Sequence, residues 1–286
     1  MLNRLFKLIN VLILIIITFC CGETDNQLWI ETLSKPWLLN EAEVSKILPE
    51  FHKRFPNFED RLKAIVIWRI GTPYEVFKLG EETPPDTDPI IRLDVSDCTV
   101  HVLTSLSIVQ SKTWDEAREK IIKIHYKVAE DGNQIPTYKS RWHFTSDRIL
   151  SNPYTVNITN EIIDSSELEN VDITLNLSDD GSELLKLDWL KKIQLSFIPN
   201  NKIDLELLEK LPKVCGVAFV RESNFKDGLA IAHEGILINQ NDLIHASSDA
   251  NKTVRVNLLD YYFSDENPLF DGIMIYKFVP IGKSKT

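Results

Sequence analysis

The apolar positions of this chain change their period part-way along. Over residues 37–54 and 57–69 they recur at helical spacing. In the second stretch Leu62, Ala64, Ile65, Ile67, Trp68 and Ile70 line a helix, Pro56-Asn57 supplies its entry turn, and Gly71-Thr72-Pro73 stops it. Residues 80–90 are polar and Pro-rich and predict a loop. Apolar positions 100, 103, 106, 108 and 109 then predict a buried helix entered from a loop, with Cys98 in its first turn. Thr113-Trp114-Asp115-Glu116 has the spacing of a capping box and predicts a further helix over 114–127. Beyond that point short segments rich in β-branched and aromatic residues take over, at 154–163, 171–177, 214–221, 230–238, 242–246, 253–258 and 272–279. One helical stretch, 203–210, interrupts them. Helices first and strands second predict an α+β architecture with a mainly antiparallel sheet.

The leader is a different kind of pattern. A short basic start (Arg4, Lys7) runs into an apolar stretch from Leu8 to Phe19, about a dozen residues, whereas a membrane-crossing helix needs about twenty. This predicts a signal peptide over residues 1–20. Cysteine directly after the apolar run, Cys20-Cys21-Gly22, resembles a bacterial lipoprotein signal. That resemblance implies an exported protein of the periplasm or cell envelope, attached to a membrane by lipid on Cys20 or Cys21. No linker divides the rest, so residues 27–286 are expected to form a single domain. With 286 residues, 43% hydrophobic, the chain can bury a sizeable core. Its formal charge of -10 offers no clustered basic surface, which excludes nucleic acid as a partner.

The candidate chemistry starts at Cys98. A thiol in the first turn of a helix meets unpaired backbone N–H groups and the positive end of the helix dipole, which favour a thiolate. Asp97 is placed to cap that helix, although its charge opposes the thiolate. Downstream, Ile231–Ile238 and Leu243–Ser248 flank the turn residues Asn239–Asp242 and predict a hairpin centred near residue 240. His233 and His245 come out close together and on one face. One imidazole can then take the thiol proton while the other holds its far ring nitrogen.

Asp97-Cys98-Thr99, His233-x-Gly235-Ile236 and Ile244-His245-Ala246-Ser247-Ser248 resemble, in order, the cysteine and two histidine motifs of NlpC/P60 peptidoglycan hydrolases. Ile135–Phe144 and Leu195–Pro199 are similar to segments of the DUF1460 branch, the N-acetylmuramoyl-L-alanine amidase-like one. The resemblance covers residues 90–280. It implies a papain-like fold with Cys98 as nucleophile, His233 as general base and His245 as the orienting residue. It implies cleavage of muropeptides between the lactyl group and L-alanine, with no cofactor and no metal. Two departures stand out. Glu234 replaces an apolar residue and is expected to raise the pKa of the neighbouring base, and His101 stands where an aromatic is usual.

The Tyr138–Phe144 segment adds possible substrate contacts. Arg141 can bind a carboxylate with two parallel hydrogen bonds, unless it is paired to an acid such as Asp147. Tyr138 and Trp142 offer flat faces for a sugar or peptide, and His143 and Ser247 offer polar groups. Three other readings compete. One is an endopeptidase cutting the stem peptide between D-glutamate and the diamino acid. Another is a zinc amidase using His143, His233 and His245. The third is a non-catalytic lipoprotein in which Cys98 and Cys215 form a disulfide.

Overall fold

An antiparallel sheet organises the molecule, with strands in the order β2 (Glu169–Leu175), β3 (Lys191–Pro199), β10 (Gly272–Phe278), β4 (Val214–Val220), β5 (Ile231–Ile238), β6 (Asp242–Ser247) and β7 (Lys252–Asn257), and β1 (Thr155–Asn157) added beside β10. The computed structural model describes residues 25–76, 88–264 and 267–282. The expected signal peptide over residues 1–20, with Cys20, Cys21 and most of the Pro-rich 80–90 segment, lies outside the described residues. Among the described residues no helix is long and apolar enough to cross a membrane.

After a helical segment over 25–32, four longer helices follow: α1 (Glu41–Arg54), α2 (Phe58–Trp68), α3 (Cys98–Ile108) and α4 (Trp114–His125). Asn57 starts α2 as expected, its side chain accepting from the Glu59 and Asp60 N–H groups, and Gly71 ends the segment at φ +96°. The capping box at Thr113 closes only halfway. Thr113 accepts from the Glu116 N–H, but the Glu116 carboxylate takes the Lys112 N–H, one residue earlier. A complete box forms instead at Asn40 and Glu43, at the start of α1.

A separate two-stranded ribbon is formed by β8 (Phe263–Ser264) and β9 (Asn267–Pro268). The expected strand at 154–163 is cut short at Asn157, and α6 (Thr159–Ile162) follows. Asn157 causes the switch by accepting from the Thr159 N–H and hydroxyl. Three other helices join the sheet: α5 (Thr145–Ser151), α7 (Leu205–Lys210) and α8 (Leu258–Tyr262).

Both faces of the sheet are covered. Val214, Ile236, Ile238 and Ile244 pack against α1 to α4, through Leu48, Phe51, Leu62, Val102 and Leu106 among others. Further along that face Ala218, Met274 and Tyr276 meet Phe144 and Ile149. The opposite face carries Cys215, Val217, Phe219, Leu237 and Leu243 under α7, α8 and Phe270. At about 25 cal/mol per Å² of apolar surface removed from water, this two-sided burial is the main favourable term in the fold.

A polar knot sits inside the first face. Glu234, on β5, is fully buried and ion-paired at 2.5 Å with Arg148, which is also fully buried. Tyr276 donates to the same carboxylate at 2.6 Å and Thr145 donates to its other oxygen at 3.2 Å. The Tyr276 ring lies across Gly216, where an added Cβ would sit 2.0 Å from it, so the strand pairing leaves room for that ring only above a glycine. Removing one partner of such a pair leaves an uncompensated buried charge. Glu234→Ala is therefore expected to lower unfolding free energy by about 3–5 kcal/mol. Urea unfolding of the two proteins checks this, and a loss below about 1 kcal/mol would contradict the buried pairing.

Candidate active site

The hairpin that carries the histidines is built by its turn. Asn239 and Gln240 both adopt positive φ, 53° and 64°, and Asn241 N–H returns to the Ile238 carbonyl. Two left-handed residues in succession match the twist of the flanking strands. The register Ile236↔Ile244, Leu237↔Leu243 and Ile238↔Asp242 centres the hairpin on residue 240. His245 therefore faces Gly235, and His233 lies one diagonal step away on the same face. Gly235 has no side chain to block that diagonal; an added Cβ would lie 3.0 Å from the Cβ of His245. His233 Nε2 and His245 Nδ1 are 2.8 Å apart with the rings nearly perpendicular, at 82°. One hydrogen is shared on that edge, which leaves His233 Nδ1 to face elsewhere.

The β5–β6 ladder stops at Ile236, although β5 remains paired to β4 as far as Ile231 and β6 to β7 as far as Ser247. The entrance of α3 meets β5 beyond that stop. Asp97 caps the helix by accepting from the Val100 N–H at 2.8 Å, which leaves the Cys98 and Thr99 N–H groups outside the cap. The Glu234 backbone N–H faces the Cys98 thiol, which places the sulfur beside the residue that follows His233. Cys98 is partly exposed and is a free thiol. Cys215 is also free, fully buried on β4 and opposite Leu237, so the Cys98–Cys215 disulfide does not form.

The electrostatics of the site hold every member neutral. Burial pushes the Cys98 thiol up to about 12, and the Asp97 and Glu234 carboxylates add to the rise. The Glu234 N–H and the Thr99 hydroxyl pull the other way. Burial pulls His233 down to about 3, with His245 and Arg221 adding to the fall, and pulls His245 down to about 4. The expected effect of Glu234 on its neighbour is overturned. Its side chain points to the opposite face, where Arg148 neutralises it, and the base is shifted down rather than up. His101, one helical turn beyond Cys98, is fully buried and likewise held well below its ordinary value by burial and the nearby Arg69. Arg69 donates to the His101 carbonyl at 2.6 Å and to Ser105 Oγ at 2.7 Å, and so ties the first turns of α3 to the end of α2.

The remaining sequence candidates sit apart in type and placement. Arg141 is fully buried and bonds Asp88 through Nε at 3.0 Å; Asp147, the acid suggested for it, pairs with Lys127 and Lys191. A guanidinium held in that way is a poor receptor for a substrate carboxylate. Tyr138 and His143 are half-buried and face each other at 4.6 Å, with His143 Nε2 on the Tyr138 carbonyl and its pKa lowered by burial to about 4. Trp142 lies under Lys127, whose Nζ is 4.9 Å from its ring and 4.0 Å from Trp189. Ser247, at the end of β6, accepts from the Ala250 N–H. Among the described residues no three His, Cys, Asp or Glu side chains are grouped to hold a metal ion, so the set His143, His233 and His245 does not assemble.

Sequence reasoning passed over an aromatic wall around the histidines. Tyr261 on α8 is 4.5 Å from the His245 ring and 6.2 Å from the His233 ring. Phe219 stacks on His233 at 5.7 Å, and Phe270 lies parallel to it at 6.5 Å. The one signal for Tyr261 was its position after Asn257, which caps α8 by accepting from the Leu259 and Asp260 N–H groups. Tyr74 lies near Cys98 and Asp97, whose charges, after burial, raise its pKa.

The fold is α+β with a mainly antiparallel sheet, and it gathers His233 and His245 into direct contact near the helix entrance that carries Cys98. The chain belongs to the AmiA-like family, described as N-acetylmuramoyl-L-alanine amidase-like, which matches residues 67–268. It is similar to a Legionella pneumophila protein of the DUF1460 group, with 24% identity, a TM-score of 0.64, and coverage of 84% of this chain and 97% of that one. It is also similar to an N-acetylmuramoyl-L-alanine amidase from Bacteroides uniformis, with 22% identity, a TM-score of 0.60, and coverage of 78% and 99%. A third solved structure, called a putative xylanase, from Bacteroides fragilis, has 22% identity, a TM-score of 0.52 and coverage of 75% and 99%. At these identities the structures establish the fold alone. No curated protein is similar enough to count as a match.

The depressed histidines set a pH dependence of stability. In the unfolded chain each imidazole takes a proton below about 6.5, whereas buried His245 in the fold waits until about 4. Stability is therefore full above 6.5 and is lost as pH falls through that window, by about 2 kcal/mol at pH 5 for His245 alone. Urea midpoints at pH 7.5 and 5 should differ accordingly, and the difference should shrink in His245→Asn. An equal difference in both proteins would contradict a neutral His245.

Proposed function

We propose that this protein is a cysteine-dependent N-acetylmuramoyl-L-alanine amidase of papain-like, NlpC/P60 type, acting on muropeptides. The observation that carries the reading is the 2.8 Å contact between His233 and His245, beside a free thiol at a helix entrance. The family match adds the substrate class.

In this reading His233 takes the Cys98 proton on Nδ1 as the sulfur attacks the lactyl amide carbon. The S–C bond forms, and the carbonyl oxygen gains charge near the N–H groups at the entrance of α3. One such donor is commonly worth about 3 kcal/mol. The C–N bond then breaks while the L-alanine nitrogen collects the proton from His233. Water, deprotonated by the same imidazole, hydrolyses the thioester and returns the thiol. His245 holds His233 in orientation and accommodates its transient charge. The protein is read as exported and held at the cell envelope by lipid on Cys20 or Cys21, with no metal or other cofactor in the reaction.

Mass analysis of products from a defined muropeptide tests the assignment. Amidase action yields a sugar ending in a free lactyl carboxyl and a peptide beginning with L-alanine. Cleavage after D-glutamate instead leaves a dipeptide on the sugar and identifies an endopeptidase. Cys98→Ala is expected to keep the fold, since the side chain is small and partly exposed, and to abolish product formation. Continued hydrolysis by that variant would overturn the cysteine mechanism.

A further inference from the structure

Muropeptides carry carboxylates close to the amide that is cut, and Arg141, the receptor suggested from the sequence, is buried against Asp88. A different guanidinium stands at the rim of the histidine site. Arg221 follows β4 two residues after Phe219, the ring stacked on His233. It is half-buried, and two contacts hold it: Nη2 donates to the Leu269 carbonyl at 3.0 Å, and the guanidinium lies 5.0 Å from the Phe270 ring centroid. Phe270 in turn faces His233 in a parallel arrangement, 9° from coplanar. Among the described residues no carboxylate lies within ion-pair distance of Arg221, and the neighbouring Asp271 is taken by the Glu222 N–H.

We propose that Arg221 binds a free carboxylate of the peptide leaving group, and so selects stem peptides whose second residue is an acid rather than its amide. The inference rests on the amidase reading. In a stem peptide the D-glutamate after L-alanine is joined through its side-chain carboxyl, so its α-carboxylate is free unless amidated. That group lies about two residues, roughly 7 Å, from the scissile bond, a length comparable to the 6.5 Å between His233 and the Phe270 ring on which Arg221 rests. The planar fork of arginine suits a carboxylate through two parallel hydrogen bonds, and stacking on Phe270 limits the freedom the side chain would lose on binding. The charge of Arg221 also reaches His233, where it opposes protonation of the free enzyme. A bound carboxylate would offset that charge just as the base takes up its proton.

The test compares two synthetic substrates, N-acetylmuramoyl-L-Ala-γ-D-Glu-L-Lys and its α-amidated counterpart, with wild-type protein and Arg221→Gln. The wild type is expected to favour the acid by about tenfold or more in kcat/KM, and the variant to lose that preference. A purely structural role for Arg221 would lower both substrates alike and preserve the ratio, and that result would overturn the proposal. The same comparison by calorimetry in the Cys98→Ala background separates it from the amidase reading. If the wild type cuts neither substrate, the amidase reading fails. Loss of acid-selective binding in Arg221→Gln would still support the carboxylate site, and equal binding of acid and amide by Cys98→Ala would overturn it.

Discussion

The candidate site depends on a charge that never faces the substrate. Glu234 puts its carboxylate into the core against Arg148, Tyr276 and Thr145, and this fixes the pleat of β5. Because side chains alternate along a strand, anchoring residue 234 inward forces His233 and Gly235 to the other face. A slip of one residue would bury His233 and expose the carboxylate, at the cost of an unpaired buried arginine. The backbone of the same residue presents its N–H to Cys98. One residue thus sets the position of His233, the clearance for His245 and a contact to the sulfur.

The site so positioned is largely buried and uncharged, and that shapes its chemistry. Desolvation moves the thiol and the imidazoles in opposite directions, because in each case it penalises the charged form. The helix dipole and the Glu234 N–H favour a thiolate, but Asp97 and burial outweigh them in the resting protein. A separated thiolate is therefore costly, whereas a thiolate beside an imidazolium is compensated, and the two groups titrate as a pair. In the proposed cysteine mechanism, proton transfer to His233 therefore belongs with the attack on the carbonyl rather than before it. On that proposal the reactivity of Cys98 depends more on the alignment of His233 by His245 than on the entrance of α3, and Phe219, Tyr261 and Phe270 pack around that alignment.

Fold alone would not lead to this reading. The solved structures that share the architecture include a protein named as an amidase and another named as a putative xylanase. Function lies in the groups grafted onto the scaffold. In the proposed function those groups are a cysteine at a helix entrance and two histidines on a hairpin whose ladder ends where the helix docks. The family match over residues 67–268 spans all three.

What could be read from the sequence followed from periodicity and turn chemistry, which act locally. The helices at 57–69 and 114–127 and the strands from 214 to 279 emerge within a few residues of their observed bounds, because their caps and alternation lie within the segments themselves. The pairing of His233 with His245 was legible for the same reason, as hairpin register is a local property. β3 was missed as a strand although Ile193, Leu195 and Phe197 alternate inward, since two lysines open it and the preceding residues carry no pattern. The partners of Glu234, Arg141 and Arg221 were not legible at all. Each is decided by a contact over a long sequence separation, 86 residues for Arg148 with Glu234, 53 for Arg141 with Asp88 and 48 for Arg221 with Leu269. Charge type alone left Arg141 open between a carboxylate receptor and the partner of an acid. Burial against Asp88, which only the tertiary structure decides, favours the second.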